Sequence, residues 1–221
     1  MKLYLLKICL LSDTTFGRGD GIAGFVDQEV EHDPFGFPYL RGRTLKGLIS
    51  EECDNLISSL PNGQDVWYDA AAKLFGTAGS TRNSIGKLHV GDACLPADLR
   101  EAVASQLQQR RATLTKADVL SSLTVIRRQT AIDAKTGAPE TNSLRTARVV
   151  IRGTQLTAPL SFEDLPTPKM KVLLAVGALA LRHVGISRNR GRGHVQCLFC
   201  DDTGSDLTKS LAVQFTSEDK A

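Results

Sequence analysis

No long apolar run and no secretion signal mark this chain of 221 residues. The longest apolar stretch, 172–181 within TPKMKVLLAVGALALRHVG, covers only about half of the roughly 20 residues a membrane span requires, so it reads as a buried helix. Residues 1–11 (MKLYLLKICLL) are too short for a signal peptide with a cleavage site, and Lys7 interrupts them, so no secretion is expected. Cysteine is present but forms no framework. The five thiols, at 9, 53, 94, 197 and 200, are odd in number and three lie inside apolar runs, which suits reduced, buried residues of a cytoplasmic protein. Cys197-x-x-Cys200 offers two zinc ligands, but no second pair at metal spacing accompanies it, and in a strand the two thiols point to opposite faces. The four histidines, at 32, 89, 183 and 194, match no Ser or Lys constellation, which argues against histidine-driven ribonuclease chemistry. The net charge of +3 is too small to announce a polyanion partner on its own.

What is present is an interleaving of strand and helix patterns. Residues 2–11 read as a first strand running into the polar, Gly-rich loop 12–24, and 25–31 (FVDQEVE) as an imperfect strand. Pro34, Gly36 and Pro38 enforce extended, turn-rich backbone. From Thr44, the expected N-cap, apolar residues recur at helical spacing to Leu60, where Pro61-Asn62-Gly63 stops them. A short helix over 69–75 closed by Gly76, a strand over 87–95 and a helix over 97–110 follow, then a helix over 115–124 opened by a Thr115/Asp118 capping box. Residues 125–147 have no steady period and read as a protruding loop or hairpin. Strands over 148–162, a buried helix over 168–183 and a closing strand over 194–200 complete the pattern, and about the last fifteen residues read as frayed. With no internal repeat or low-complexity tract, this predicts one domain over 1–221. The expected class is α+β, a ferredoxin-like (RRM-type) core of helices on an antiparallel sheet, with a projection near 125–147 and a glycine-rich loop.

Three basic clusters stand out. Gly185-Ile186-Ser187-Arg188-Asn189-Arg190-Gly191-Arg192-Gly193 sits after a helix, in a stretch free of acids. Its glycines permit tight turns and close backbone approach, and its arginines supply bidentate donors, the composition of a phosphate clamp. It does not open a helix after a strand, so it is no dinucleotide fingerprint. Arg41, Arg43 and Lys46 lie where a loop enters a helix, whose N-terminus favours anions. Arg127-Arg128, with Arg145, Arg148 and Arg152, surround the protruding segment. Each cluster, taken alone, also reads as solvated surface charge.

Gly36-x-Pro38-x-Leu40-x-Gly42-x-Thr44-Leu45-Lys46-Gly47 resembles the glycine- and proline-rich signature of the RAMP superfamily, the CRISPR-associated proteins that bind guide RNA. Lys73-Leu74-Phe75-Gly76, then Gly86-Lys87-Leu88 and Asp92-Ala93-Cys94-Leu95, resemble a second family element. Ala131-Ile132-Asp133-x-x-Thr136-Gly137 resembles a third, and 185–193 the C-terminal glycine-rich loop. Each motif is loose; their order along 12–195 is specific. Arg43 stands where the family usually has serine, and Ala134 where it commonly has arginine.

The resemblance implies a backbone subunit of a type III (Csm- or Cmr-like) effector complex, with an RRM-type palm and a thumb at 125–147. Its implied partners are CRISPR guide RNA, complementary target RNA, neighbouring RAMP subunits and a large polymerase-like subunit, with no membrane involved. The basic residues Arg41, Arg43, Lys46, Arg127, Arg128, Arg188, Arg190 and Arg192 would contact RNA. Target-cleaving members carry an aspartate after the first strand in a context resembling Gly24-Phe25-Val26-Asp27-Gln28-Glu29-Val30, so Asp27 is the expected catalytic residue of an endoribonuclease. Such a carboxylate acts as a general base or as ligand to a loosely held divalent ion, Mg2+ in the first instance. Two alternatives stay open: a structural RNA-binding subunit that does not cut, and a stand-alone guide-processing endoribonuclease. Asp33 reads as a turn residue, and Asp13 and Asp20 as loop residues.

Overall fold

The computed structural model describes residues 3–77, 79, 85–109, 113–188 and 190–217. A four-stranded antiparallel sheet is built from β1 (Leu3–Leu10), β2 (Leu88–Val90), β5 (Gln155–Phe162) and β6 (Val195–Cys200), in the order β2-β5-β1-β6. Period-two patterning makes it one-sided. Tyr4, Leu6, Ile8 and Leu10 of β1 and Leu156, Ala158, Leu160 and Phe162 of β5 are buried, while the residues between them are partly or fully exposed. The buried face carries three helices: α1 (Gly42–Ser58), α2 (Gln64–Phe75) and α5 (Pro168–Ala180). Helix α1 presents a stripe of Leu45, Ile49, Cys53 and Ile57, whereas α5 is buried over most of its circumference, from Met170 to Ala178. That all-round burial explains its uniform apolarity. Pro168 in the first turn and the Thr167 side chain, which accepts from Met170 N–H, start α5.

Helices α3 (Ala97–Leu107) and α4 (Lys116–Leu123) follow β2, and α4 opens with the expected capping box, Thr115 and Asp118 each accepting the other's backbone N–H. Directly after α4, β3 (Thr124–Gln129) and β4 (Arg145–Val150) pair as a separate two-stranded antiparallel sheet. The connecting residues 130–144 are exposed except for the half-buried Ser143.

Four expectations need correction. Residues 25–31 form no strand, because they change partners at every step: Val26 bridges Ile22, Gln28 bridges Ala147 and Val30 bridges Gly17. Only Leu88–Val90 of 87–95 is a strand, since beyond it the chain leaves the ladder and Ala93 pairs with Leu40. Thr44 is not the N-cap. Helix α1 starts at Gly42, whose N–H donates to Asp92 Oδ1 at 2.7 Å, a cap supplied from 50 residues away. The C-terminal stretch is not frayed through 217: α6 (Thr208–Ser217) packs on α5, with Phe215 buried against Trp67 at 4.7 Å between ring centroids. Its acidic surroundings had disguised the four-residue spacing of Leu207, Leu211 and Phe215.

All five cysteines are free thiols, and burial pushes Cys197 up to about 12. Among the described residues no helix is long and apolar enough to cross a membrane.

Candidate nucleic-acid interface

The loop after β1 is the organising feature. It leaves the sheet at Leu10 and runs across β4: Thr14 bridges Val150, and Gln28 bridges Ala147. Thr15 Oγ1 donates to the Arg148 carbonyl at 3.1 Å, and Arg148 N–H donates to the Gln28 carbonyl at 2.9 Å. Beneath it, Arg148 Nε lies 2.8 Å from Glu29 Oε1, with the two side chains only 11% and 1% exposed. Arg148 also covers the Phe25 ring at 5.9 Å. It is therefore a half-buried strut and not part of a basic flap.

Asp27 rides on this loop, exposed, and one of its oxygens is fixed by a single residue. Thr146 N–H donates to Asp27 Oδ2 at 2.6 Å, and Thr146 Oγ1 donates to the same oxygen at 3.0 Å. In return Asp27 N–H donates to Thr146 Oγ1 at 3.0 Å and to the Thr146 carbonyl at 3.1 Å. The Thr146 backbone bond, then its hydroxyl, and more weakly the Arg145 charge hold the Asp27 carboxyl below the usual carboxylate range. Asp27 opens into a cavity of about 160 Å³ lined also by Gln28, Gln129, Arg145, Ser187, Arg190 and Arg192. One ionised carboxylate thus shares a cavity with three arginines drawn from β4 and the glycine-rich loop, of which Arg145 acts on its charge. That arrangement suits a phosphodiester: arginines to bind the phosphate, a carboxylate to accept a proton or hydrogen bond beside it.

The glycine-rich loop owes its path to packing. A Cβ on Gly185 would lie 2.5 Å from the Thr15 carbonyl oxygen, and one on Gly193 would collide with the Val184 carbonyl, so only glycine fits at either position. Ser187 adopts a left-handed φ of 63°. Arg188 and Arg190 are exposed, while Arg192 is buried, and desolvation lowers its guanidinium pKa. Asn189 lies outside the described residues. A second basic recess, lined by Arg127, Arg128, Arg152 and Arg192, adjoins the first through Gln129 and Arg192. Within it Asp13 pairs with Arg127 at 2.7 Å.

The cluster at the start of α1 is more internally committed than its composition implied. Arg41 Nη2 pairs with Glu31 Oε2 at 2.6 Å, and Lys46 Nζ donates to the Leu88 carbonyl at 2.8 Å, with burial lowering its pKa. Gly42 N–H is taken by Asp92, and Arg43 is exposed beside it. Arg41 and Arg188 do meet, across a cavity of about 230 Å³ that also holds Phe16, Tyr39 and Leu48.

Asp33 is a turn residue, accepting from Phe35 and Phe37 N–H, and Asp20 pairs with Arg18. Among the described residues no histidine lines the Asp27 cavity; His183 and His194 stack on each other at 5.3 Å. Nor does any group of three or more His, Cys, Asp or Glu side chains there offer a metal cage. The donor set at Asp27 is a single carboxylate among arginines, which does not fit an ion held by the protein alone. Thr146 was invisible in the sequence: it lies 119 residues from its partner, in no motif.

The chain is similar in structure to two chains at low identity. One, from a cryo-EM structure of the type III-B Cmr-beta bound to cognate target RNA, matches with TM-score 0.63 and 13% identity over 96% of this chain and 99% of that one. The other, from a cryo-EM structure of type III-B Cmr-beta in the apo state, matches with TM-score 0.62 and 14% identity over 91% and 98%. At such identity the likeness is one of fold. No curated protein matches the chain. The RAMP superfamily model matches residues 7–196, most of the chain and all of the loops that build the interface, so the chain belongs to the RAMP superfamily.

Proposed function

We propose that this chain is a backbone subunit of a CRISPR type III effector complex that binds guide RNA and cuts complementary target RNA at Asp27. The observation that carries this reading is the Asp27 cavity, which an exposed, ionised carboxylate shares with Arg145, Arg190 and Arg192. The sheet order β2-β5-β1-β6, antiparallel throughout, supports a ferredoxin-like palm, and the β3–β4 hairpin with its exposed tip supports a thumb. Arg43, Arg128, Arg188 and Arg190 are exposed cations suited to RNA phosphates; Arg41, Lys46 and Arg127 are tied to internal partners, and Arg192 is buried in the wall of the Asp27 cavity. Guide RNA, neighbouring RAMP subunits and a large polymerase-like subunit complete the assembly.

In the reaction, Asp27 accepts the proton of a ribose 2′-hydroxyl, whose oxygen attacks the adjacent phosphorus. The P–O5′ bond breaks, leaving a 2′,3′-cyclic phosphate and a 5′-oxygen that takes up a proton. Arg145, Arg190 and Arg192 stabilise the charge that develops on the phosphoryl oxygens. A loosely held Mg2+ would draw most of its ligands from RNA, and cleavage with and without chelator tests for it. Because hydrogen bonding makes Asp27 a weak base, a second reading has it only stapling the loop to β4 in a non-cutting subunit. The assembled complex carrying Asp27→Ala decides between them: target binding should persist while cleavage falls at least about 100-fold. Cleavage at the wild-type rate would remove Asp27 from the chemistry.

A further inference from the structure

We propose that Thr146 is the positioning residue for Asp27, so that strand β4 of the projecting hairpin carries half of the cleavage site; this rests on the cleavage role of Asp27 proposed above. Both Thr146 donors converge on Oδ2, at 2.6 and 3.0 Å, and among the described residues nothing donates to Oδ1. One oxygen is held and the other is left to meet RNA. The hydroxyl does two things at once, accepting from Asp27 N–H and donating to Asp27 Oδ2, which fixes the side-chain torsion relative to the backbone.

Docking of the loop does not need this. Gln28 N–H donates to the Thr146 carbonyl at 3.2 Å, and Arg148 N–H donates to the Gln28 carbonyl at 2.9 Å, so main-chain bonds already attach the loop to β4. The buried Glu29–Arg148 pair secures it from below. The Thr146 side chain adds orientation of the carboxylate. Arg145, the preceding residue of β4, lines the same cavity, so one strand aims the carboxylate and supplies a cation for the phosphate. Any movement of the hairpin on the body moves both together.

The charged groups that share the cavity with Asp27 are Arg145 from β4 and Arg190 and Arg192 from the glycine-rich loop; no other acid lines it among the described residues. Substitution at Thr146 therefore leaves the electrostatic surroundings unchanged and alters only the hydrogen bonding. Thr146→Val keeps the β-branched shape and the backbone N–H but loses the hydroxyl, and Thr146→Ser keeps the hydroxyl.

The test uses assembled complexes with wild-type, Thr146→Val, Thr146→Ser and Asp27→Ala chains, measuring target-RNA affinity and single-turnover cleavage across pH. Thr146→Val should cut about tenfold more slowly or worse at unchanged target affinity, since misplaced reacting groups cost rate and not binding. Thr146→Ser should recover most of the rate. Thr146 depresses the Asp27 pKa, so the wild-type carboxylate stays ionised to lower pH; in Thr146→Val the acid-side loss of activity should begin at higher pH. If Asp27→Ala is inactive while Thr146→Val matches wild type in rate and acid limb, this inference falls and the cleavage role of Asp27 stands. If Thr146→Val loses target affinity in step with cleavage, Thr146 is merely structural. If Asp27→Ala cuts as fast as wild type, or wild type does not cut, the proposed function fails and this inference fails with it.

Discussion

The helix-covered sheet and the hairpin that carries the Asp27 loop are held by different balances of apolar and polar contact. On the sheet, nearly every inward position is apolar, and the Tyr4 ring lies stacked on Phe199 at 5.2 Å and edge-on to Phe162 at 5.7 Å. At the hairpin Ala147, Val149 and Val150 of β4 are buried as well, but the contacts that fix the Asp27 loop are polar: Glu29 with Arg148, Asp13 with Arg127, Thr146 with Asp27, and a series of isolated bridges. Apolar burial is non-directional and tolerant of small shifts, whereas hydrogen bonds and ion pairs demand geometry. A rigid body is thus made by the first kind of contact, and a precisely oriented carboxylate by the second.

The comparison breaks most severely at Phe199, which is fully buried on the inward face of the edge strand β6. Phe199→Ala should cost about 4 kcal/mol, read as a lowered denaturation midpoint of the full chain, and hydrogen exchange should accelerate throughout the sheet and α5. Acceleration confined to the hairpin would mean the two regions are not divided as described.

The same division governs how much was legible in the sequence. The sheet strands β1, β5 and β6 and the helices α1, α4 and α5 follow from periodicity, because apolar burial leaves its spacing in the chain. The Thr115–Asp118 box was readable because both partners are local. Residues 25–31 were not, since their partners are Ile22, Gly17 and β4, and no local pattern encodes such switching. At the site, Asp27 and the arginines of 185–193 came from motif resemblance, which identifies residue types but not their contacts. Composition alone placed Arg148 among surface charges, and only its long-range partner Glu29 shows it to be drawn largely inside, with 11% of its side chain exposed.

A middle-sized effect is expected at that strut. Arg148→Ala leaves the Glu29 carboxyl, 1% exposed, without its cation, with its Oε2 already lacking a hydrogen-bond partner. Loss of one member of a buried pair costs on the order of 3 kcal/mol, and it should appear first as faster exchange in 25–30 and 145–150. Replacing Glu29 and Arg148 together by apolar residues of similar size should recover much of the loss, because the stranded charge is gone. If the double replacement is no better than the single one, the pair matters for more than mutual neutralisation.

The smallest effect probes where the two regions meet. Asp92 Oδ1 accepts from Gly42 N–H and so caps α1 at the point where Arg41 and Arg43 emerge toward the interface, although α1 itself packs in the apolar layer. Asp92→Ala removes the acceptor of one first-turn N–H, a loss of about 1 kcal/mol. Asp92→Asn keeps the acceptor and should restore most of it, leaving only the weaker interaction of a neutral side chain with the helix N-terminus. The N-terminal turn carries Arg43 while Leu45, Ile49, Cys53 and Ile57 stay buried below, so the alanine variant should loosen 41–44 without disturbing the rest of the helix. Amide exchange within α1 checks this directly. Acceleration limited to the first turn keeps α1 a member of the apolar body with a polar tip, whereas acceleration along its whole length would show that the distant carboxylate, and not the sheet beneath, sets the helix in place.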